Sequence, residues 1–177
     1  MREALAPLVP PEDIRSHLHG EGRPKGLHAL GTLAWHPTLA RAFNVFNGHV
    51  LYSSTLSDRQ RELVVLRVAA LRRSEYEWRQ HLMLAGDAGI TDEEIARIAD
   101  GPGAPGWGTL DRAMLNAVDE LVNDAMVADG TWEELSGELD REQIMDLVFT
   151  VGAYDLLAMA FRSFGVQPDH DLPPASW

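Results

Sequence analysis

The sequence predicts an all-α protein built as one helical domain, and three observations carry that prediction. Apolar residues recur at three- and four-residue steps through most of the chain. Helix-opening signals stand where those periodic segments begin: Pro37, Ser57, and Thr91 with Glu94 three residues on. No segment alternates β-branched residues, and there is no hairpin signal.

Residues 1–27 hold four prolines and three glycines with few large apolar side chains, so they read as an irregular arm with one short helix around Pro11 to His17. Pro37 suits a first helical turn, and Leu39, Phe43, Phe46 and Val50 follow on one face. Ser57 caps a second segment, in which Leu63, Leu66, Val68, Ala70 and Leu71 form one of the most apolar stretches. A third runs from Ser74 to about Asp87 and stops near Gly89. Thr91 and Glu94 form a capping box for the short TDEEIARIA helix. GPGAPGWG, residues 101–108, is a loop. Leu110 to Val127 is a long amphipathic helix, Thr131 to Leu139 a shorter one, and residues 140–164 a final apolar helix before a Pro-containing tail. The expected layout is an arm at 1–27, a domain at 28–167 and a tail at 168–177.

Composition narrows the function. At 177 residues, 45% hydrophobic and 24% charged, the chain is large enough for one continuous core. It has no cysteine, which removes disulfides, thiolate metal sites and thiol nucleophiles. A net charge of −12 argues against nucleic acid and anionic membrane surfaces. No apolar run approaches the ~20 residues of a membrane span, and the first residues lack a secretory apolar core, so a cytoplasmic protein is expected.

The stretch SEYEWRQH, residues 74–81, concentrates chemistry-bearing side chains. On a helix Ser74, Glu77 and His81 share a face, and Glu77 and His81, four apart, can bond directly. A carboxylate beside an imidazole fixes its tautomer, as a general acid–base histidine requires. Trp78 lies on the same side and would wall the pocket. Set against this, most Glu–His pairs on helices are plain solvated surface. A metal set of Glu62, Glu77 and His81 lacks a second histidine at ligand spacing, so no metal is expected. Arg67 is expected to pair with Glu62 or Glu77, or to hold a substrate carboxylate. Tyr154, between Val151 and Leu157, is expected in the core or against substrate. His49, beside Asn47, is either a second proton carrier in the pocket or a packing residue at its helix end.

Glu62 followed by Ser74, Glu77 and His81 spells E-x11-S-x2-E-x3-H. This resembles the carboxymuconolactone decarboxylase and alkyl hydroperoxide reductase D-type superfamily, whose peroxidase branch carries E-x11-C-x2-C-x3-H. With Ser74 and Glu77 at the cysteine positions, the resemblance is to the cysteine-free, decarboxylase-like branch, over roughly residues 28–167. It implies that superfamily's helical fold and a homo-oligomer, trimer or hexamer, joined through apolar helix faces. The sequence departs from many relatives at Asp155 and Arg162, which are expected to form an internal ion pair.

The resulting expectation is a cofactor-free enzyme acting on a small organic acid, lactone or related carbonyl compound. His81, Glu77 and Glu62 would be catalytic, with Ser74, Trp78, His49, Arg67 and Tyr154 against the substrate. The rivals are a non-catalytic ligand-binding oligomer, and an isomerase or cyclase for a larger natural product with loop 101–108 as its lid.

Overall fold

A computed structural model describes residues 26–170 and 172. The short helix expected around Pro11 to His17 lies outside the described residues. Among these there are eight α-helices and no strand: α1 Leu27–Leu33, α2 Pro37–Tyr52, α3 Asp58–Arg72, α4 Glu75–Asp87, α5 Asp92–Asp100, α6 Thr109–Asp124, α7 Asp129–Glu138 and α8 Arg141–Ser163.

The helix starts follow local chemistry. Ser57 with Gln60, Thr91 with Glu94, and Asp140 with Gln143 each form a reciprocal capping box. At α2, His36 accepts from the Leu39 N–H ahead of Pro37. The stops are equally local. At Gly89 and Gly165 the chain turns left-handed (φ 81° and 67°), and the next N–H returns to the helix, Ile90 to Ala85 O and Val166 to Phe161 O. The α3 end has the same arrangement, with Ser74 N–H to Ala69 O at 2.9 Å, but the left-handed residue is Arg73 (φ 49°). Only that one left-handed residue and Ser74 separate α3 from α4.

Helix α3 is the axis of the fold. Every residue from Arg61 to Ala69 is buried, and α8, α4, α6 and α5 pack around it. A helix apolar on all sides is one enclosed by neighbours. Polar residues on α3 are therefore forced into the interior, and that is how Glu62 comes to be 0% exposed.

Two expectations are corrected. The buried face of α2 runs through Ala40, Asn44, Gly48 and Val50, whereas Leu39 is exposed and Phe43 and Phe46 are half-buried. Helix α8 does have the length and hydropathy of a membrane span, at 23 residues. Much of that character is spent on the core, where Ile144, Leu147, Val151, Tyr154, Leu157 and Phe161 face inward. Helix α1, unforeseen, starts at Gly26 (φ 62°). The tail also joins the domain: Asp169 accepts from the His28 N–H and the Tyr76 hydroxyl, and Leu172 O accepts from Arg79.

Candidate active site

The α3–α4 hairpin brings Glu62 and His81 face to face. Glu62 Oε2 lies 2.6 Å from His81 Nδ1, and both residues are buried. The other oxygen, Oε1, accepts from Arg61 Nε at 3.0 Å and Nη2 at 2.9 Å. Arg61 Nη1 reaches Asp58 Oδ1 at 2.8 Å, so a chain of charges runs from Asp58 at the helix start to the imidazole. Burial alone would raise the Glu62 pKa. The His81 and Arg61 contacts together outweigh burial and hold it below the ordinary carboxylate value. An ionised carboxylate only accepts, so Nδ1 carries the proton and Nε2 is left as the basic nitrogen.

Glu77 is the opposite case. It is 2% exposed, and neither carboxyl oxygen has an aligned hydrogen-bond partner among the described residues. Burial pushes its pKa from 4.5 up to about 8; the adjacent Ser74 hydroxyl opposes the shift, and the Asp155 charge adds to it. The bond expected between Glu77 and His81 is therefore corrected: the partner of His81 is Glu62, from the neighbouring helix. The reason is rotational. Position 77 faces Ser74 and the interior, while Nδ1 of His81 turns toward α3.

Tyr154 of α8 completes the cluster. Its ring meets the His81 ring edge-on, with centroids 5.0 Å apart. Its hydroxyl is held neutral by burial first, and then by the nearby Glu62 charge, against the opposing pull of Arg61. Trp78, 1% exposed, belongs to the core behind this cluster, and Ser74 is equally buried.

Two predicted site residues are engaged elsewhere. Arg67 makes a two-pronged pair with Asp119 (2.6 and 2.7 Å) and donates to the Ile98 and Ala99 carbonyls. It ties the last turn of α5 to α6 instead of meeting Glu62 or Glu77. Trp107 pins the 101–108 loop by donating to Gly101 O, which argues against a lid there. His49, on the half-exposed side of α2, bonds Asp146 Oδ1 at 2.7 Å, while Asp146 Oδ2 accepts from the Thr55 N–H and hydroxyl. Asp155 does not pair with Arg162 either, because Arg72 binds it with two nitrogens.

The residue that sequence reasoning missed is Arg61. Its signal was present in the segment DRQRE, where Asp58 and Arg61 stand three apart and Arg61 precedes Glu62. Among the described residues no three His, Asp or Glu side chains converge as a metal site would need.

The sequence profile of the Carboxymuconolactone decarboxylase family matches residues 37–120, which run from α2 into α6 and include Glu62, Glu77 and His81. No curated protein matches the chain in sequence. Among solved structures, the chain is similar to a protein of unknown function from Agrobacterium tumefaciens described as a candidate antioxidant defence protein AhpD. That likeness has TM-score 0.70 and 21% identity, covering 83% of this chain and 97% of the other. An uncharacterized peroxidase-related protein from Ralstonia eutropha JMP134, with an alkylhydroperoxidase AhpD core, gives TM-score 0.72 and 20% identity over 81% and 77%. A peroxidase-related protein from Silicibacter sp. TM1040 gives 0.70 and 16% over 92% and 95%. At these identities the likeness is one of fold, and it agrees with the helical architecture. Residues 37–120 thus match the Carboxymuconolactone decarboxylase family, and the chain, which has no cysteine, shares the all-α fold of AhpD-like proteins.

Proposed function

We propose that the protein is a cofactor-free acid–base enzyme acting on a small organic acid, lactone or related carbonyl compound, in the manner of a decarboxylase or lyase. One arrangement carries the reading: Glu62 bonds His81 across the α3–α4 hairpin, beside Tyr154, and Glu77 is buried one turn before His81, in surroundings that hold the Glu62 pKa below its ordinary value and push that of Glu77 up to about 8. Environments that separate two carboxyl pKa values are what an acid and a base in one site require.

In this reading Glu62 positions His81, whose Nε2 takes or returns a proton at the substrate. Glu77 is the acid. In a decarboxylation the bond from the α-carbon to the carboxylate breaks and carbon dioxide leaves. The electron pair passes to the substrate carbonyl as an enolate, and a proton from Glu77 ends on the α-carbon. Solvent then restores that proton. In a lactone isomerisation the same two groups remove a proton at one carbon and return it at another. A positioned acid–base group of this kind is worth about 10²- to 10⁴-fold in rate. The absence of cysteine excludes a thiol peroxidase.

The partner on this reading is a second copy of the chain. Met145, Phe149, Leu156 and Met159 stand on one exposed face of α8, about half-exposed each, and suit burial in a trimer or hexamer of a cytoplasmic protein.

The test is deuterium incorporation into a panel of lactones and β-keto acids followed by NMR, with wild type beside His81→Ala. Exchange or carbon dioxide loss that disappears in His81→Ala supports the reading. Spectral shifts with no turnover of any member would replace it with a ligand-binding role.

A further inference from the structure

The acid–base reading, on which the following rests for its kinetics, needs a bare imidazole nitrogen on His81 at neutral pH. A buried carboxylate with no other partner works against that, because it draws a second proton onto the histidine it holds. We infer that Arg61 is a positioning residue of the site: its permanent charge balances Glu62, and so leaves Nε2 of His81 without a proton and able to act as the base.

Three observations support the assignment. The first is geometry. Arg61 Nε and Nη2 both reach Glu62 Oε1, at 3.0 and 2.9 Å, while His81 Nδ1 lies 2.6 Å from the other oxygen. The carboxylate is thus held from both sides, with Oε2 presented to the ring. The third nitrogen, Nη1, donates to Asp58 Oδ1 at 2.8 Å, which fixes the guanidinium in turn.

The second is burial. Arg61 is 1% exposed and Glu62 0%, so little solvent screens one charge from the other. A guanidinium also keeps its proton at every working pH, so this balance does not itself titrate.

The third is the set of charges around the pair. The titratable groups that bear on it and on its arginine are Asp58 on α3, Glu77 on α4, Tyr154 on α8 and Tyr52 at the end of α2. Burial pushes the Tyr52 hydroxyl up to about 12 and Glu77 to about 8, and it holds the Tyr154 hydroxyl neutral as well. Apart from His81, Arg61 is therefore the one source of positive charge in this set.

Loss of Arg61 would leave the pair with a net negative charge in the interior, and a proton from solvent would neutralise it. That proton makes either an imidazolium beside a carboxylate or a carboxylic acid beside the neutral ring. In both forms Nε2 carries hydrogen, and the base is gone.

The test follows the imidazole nitrogens of the full chain, labelled with ¹⁵N-histidine, by NMR across pH; His81→Ala identifies the His81 signals. Wild type should show a bare Nε2 at neutral pH. Arg61→Met should move the protonation of Nε2 to higher pH by about 1–3 pH units, and Arg61→Lys, which keeps a cation but loses the fork, by less. In turnover, the rising limb of the pH profile should move with it in Arg61→Met, while the falling limb stays near pH 8. A merely structural role would lower the whole profile and leave the rising limb in place. Should Arg61→Met fail to fold, Asp58→Asn decides: it leaves the guanidinium to Glu62 alone and should move the Nε2 titration to lower pH. An Nε2 titration unmoved in Arg61→Met, or unmoved or raised in Asp58→Asn, would overturn the assignment. The NMR measurement needs no substrate, so the expected Nε2 shift without turnover of any compound would uphold Arg61 and reject the acid–base reading instead.

Discussion

The Glu62 carboxylate and the His81 imidazole, 2.6 Å apart across the α3–α4 hairpin, form a pair with no solvent at the carboxylate. Glu62 also neutralises Arg61, which is 1% exposed. One carboxylate thus serves two buried groups, and removing its charge leaves Arg61 with Asp58 alone.

Glu62→Gln keeps the shape and deletes the charge. Removing one partner of a buried pair costs about 3–5 kcal/mol, because the other is left uncompensated. Urea unfolding should show the midpoint falling with the slope unchanged. A loss below about 1 kcal/mol would mean that Asp58 alone satisfies Arg61.

Glu77 gives a prediction in pH. Its folded value, about 8, lies above the ordinary 4.5. Between those values the folded chain keeps a proton that the unfolded chain has released. The contribution is fully present below about pH 4.5 and is lost as pH rises through 8. Glu77→Gln has nothing to titrate, so wild type should lose stability relative to the variant across that window, by at most about 1.4 kcal/mol per pH unit. Parallel curves for the two proteins would show that Glu77 is ionised throughout.

The same titration should appear in turnover. If Glu77 donates the proton, kcat/KM falls above about pH 8, where the acid is lost. Glu77→Gln should lower kcat by about 10²-fold or more below about pH 8 and remove that alkaline limb. A limb that survives in the variant belongs to another group.

Much of this was legible in the sequence because it is local. The capping boxes at Thr91 and the cap at Ser57 are read within four residues, and the helix order follows from apolar spacing. Glu62 and His81 were found through their spacing to Ser74 and Glu77. What escaped depends on helix rotation. Whether His81 turns to Glu77, four residues back, or to Glu62 across the hairpin is set by how α3 and α4 pack, and spacing within one helix carries no such information. Asp119 as the partner of Arg67, and Asp146 as that of His49, lie 52 and 97 residues away in sequence and are likewise invisible to local pattern.

Arg67 separates a structural arginine from a substrate-binding one. Its guanidinium bonds Asp119 and two carbonyls, and a side-chain carbon placed on Gly101 would meet Nη2 at 2.6 Å, at a backbone φ of +100°. Arg67→Met should cost about 2–4 kcal/mol, tempered by the partial exposure of Asp119. Gly101→Ala should cost about 1–3 kcal/mol through strain and displacement of the arginine. Both variants should keep wild-type KM where they remain folded. A KM raised severalfold at unchanged stability would return Arg67 to the substrate.

The outer face of α8 tests the assembly. Met145, Phe149, Leu156 and Met159 recur at three-, four- and seven-residue steps, each between 49% and 62% exposed, while the inner face of the same helix is packed on α3. Apolar side chains in such a row favour burial by about 25 cal/mol per Å² covered, which a subunit contact would supply. A charge at the centre of that row must either be desolvated or keep the subunits apart. Phe149→Glu should therefore shift light-scattering mass to the monomer while leaving the far-ultraviolet circular dichroism unchanged, since position 149 contributes little to the internal core. Wild type that is already monomeric at micromolar concentration would assign the α8 face to some other partner.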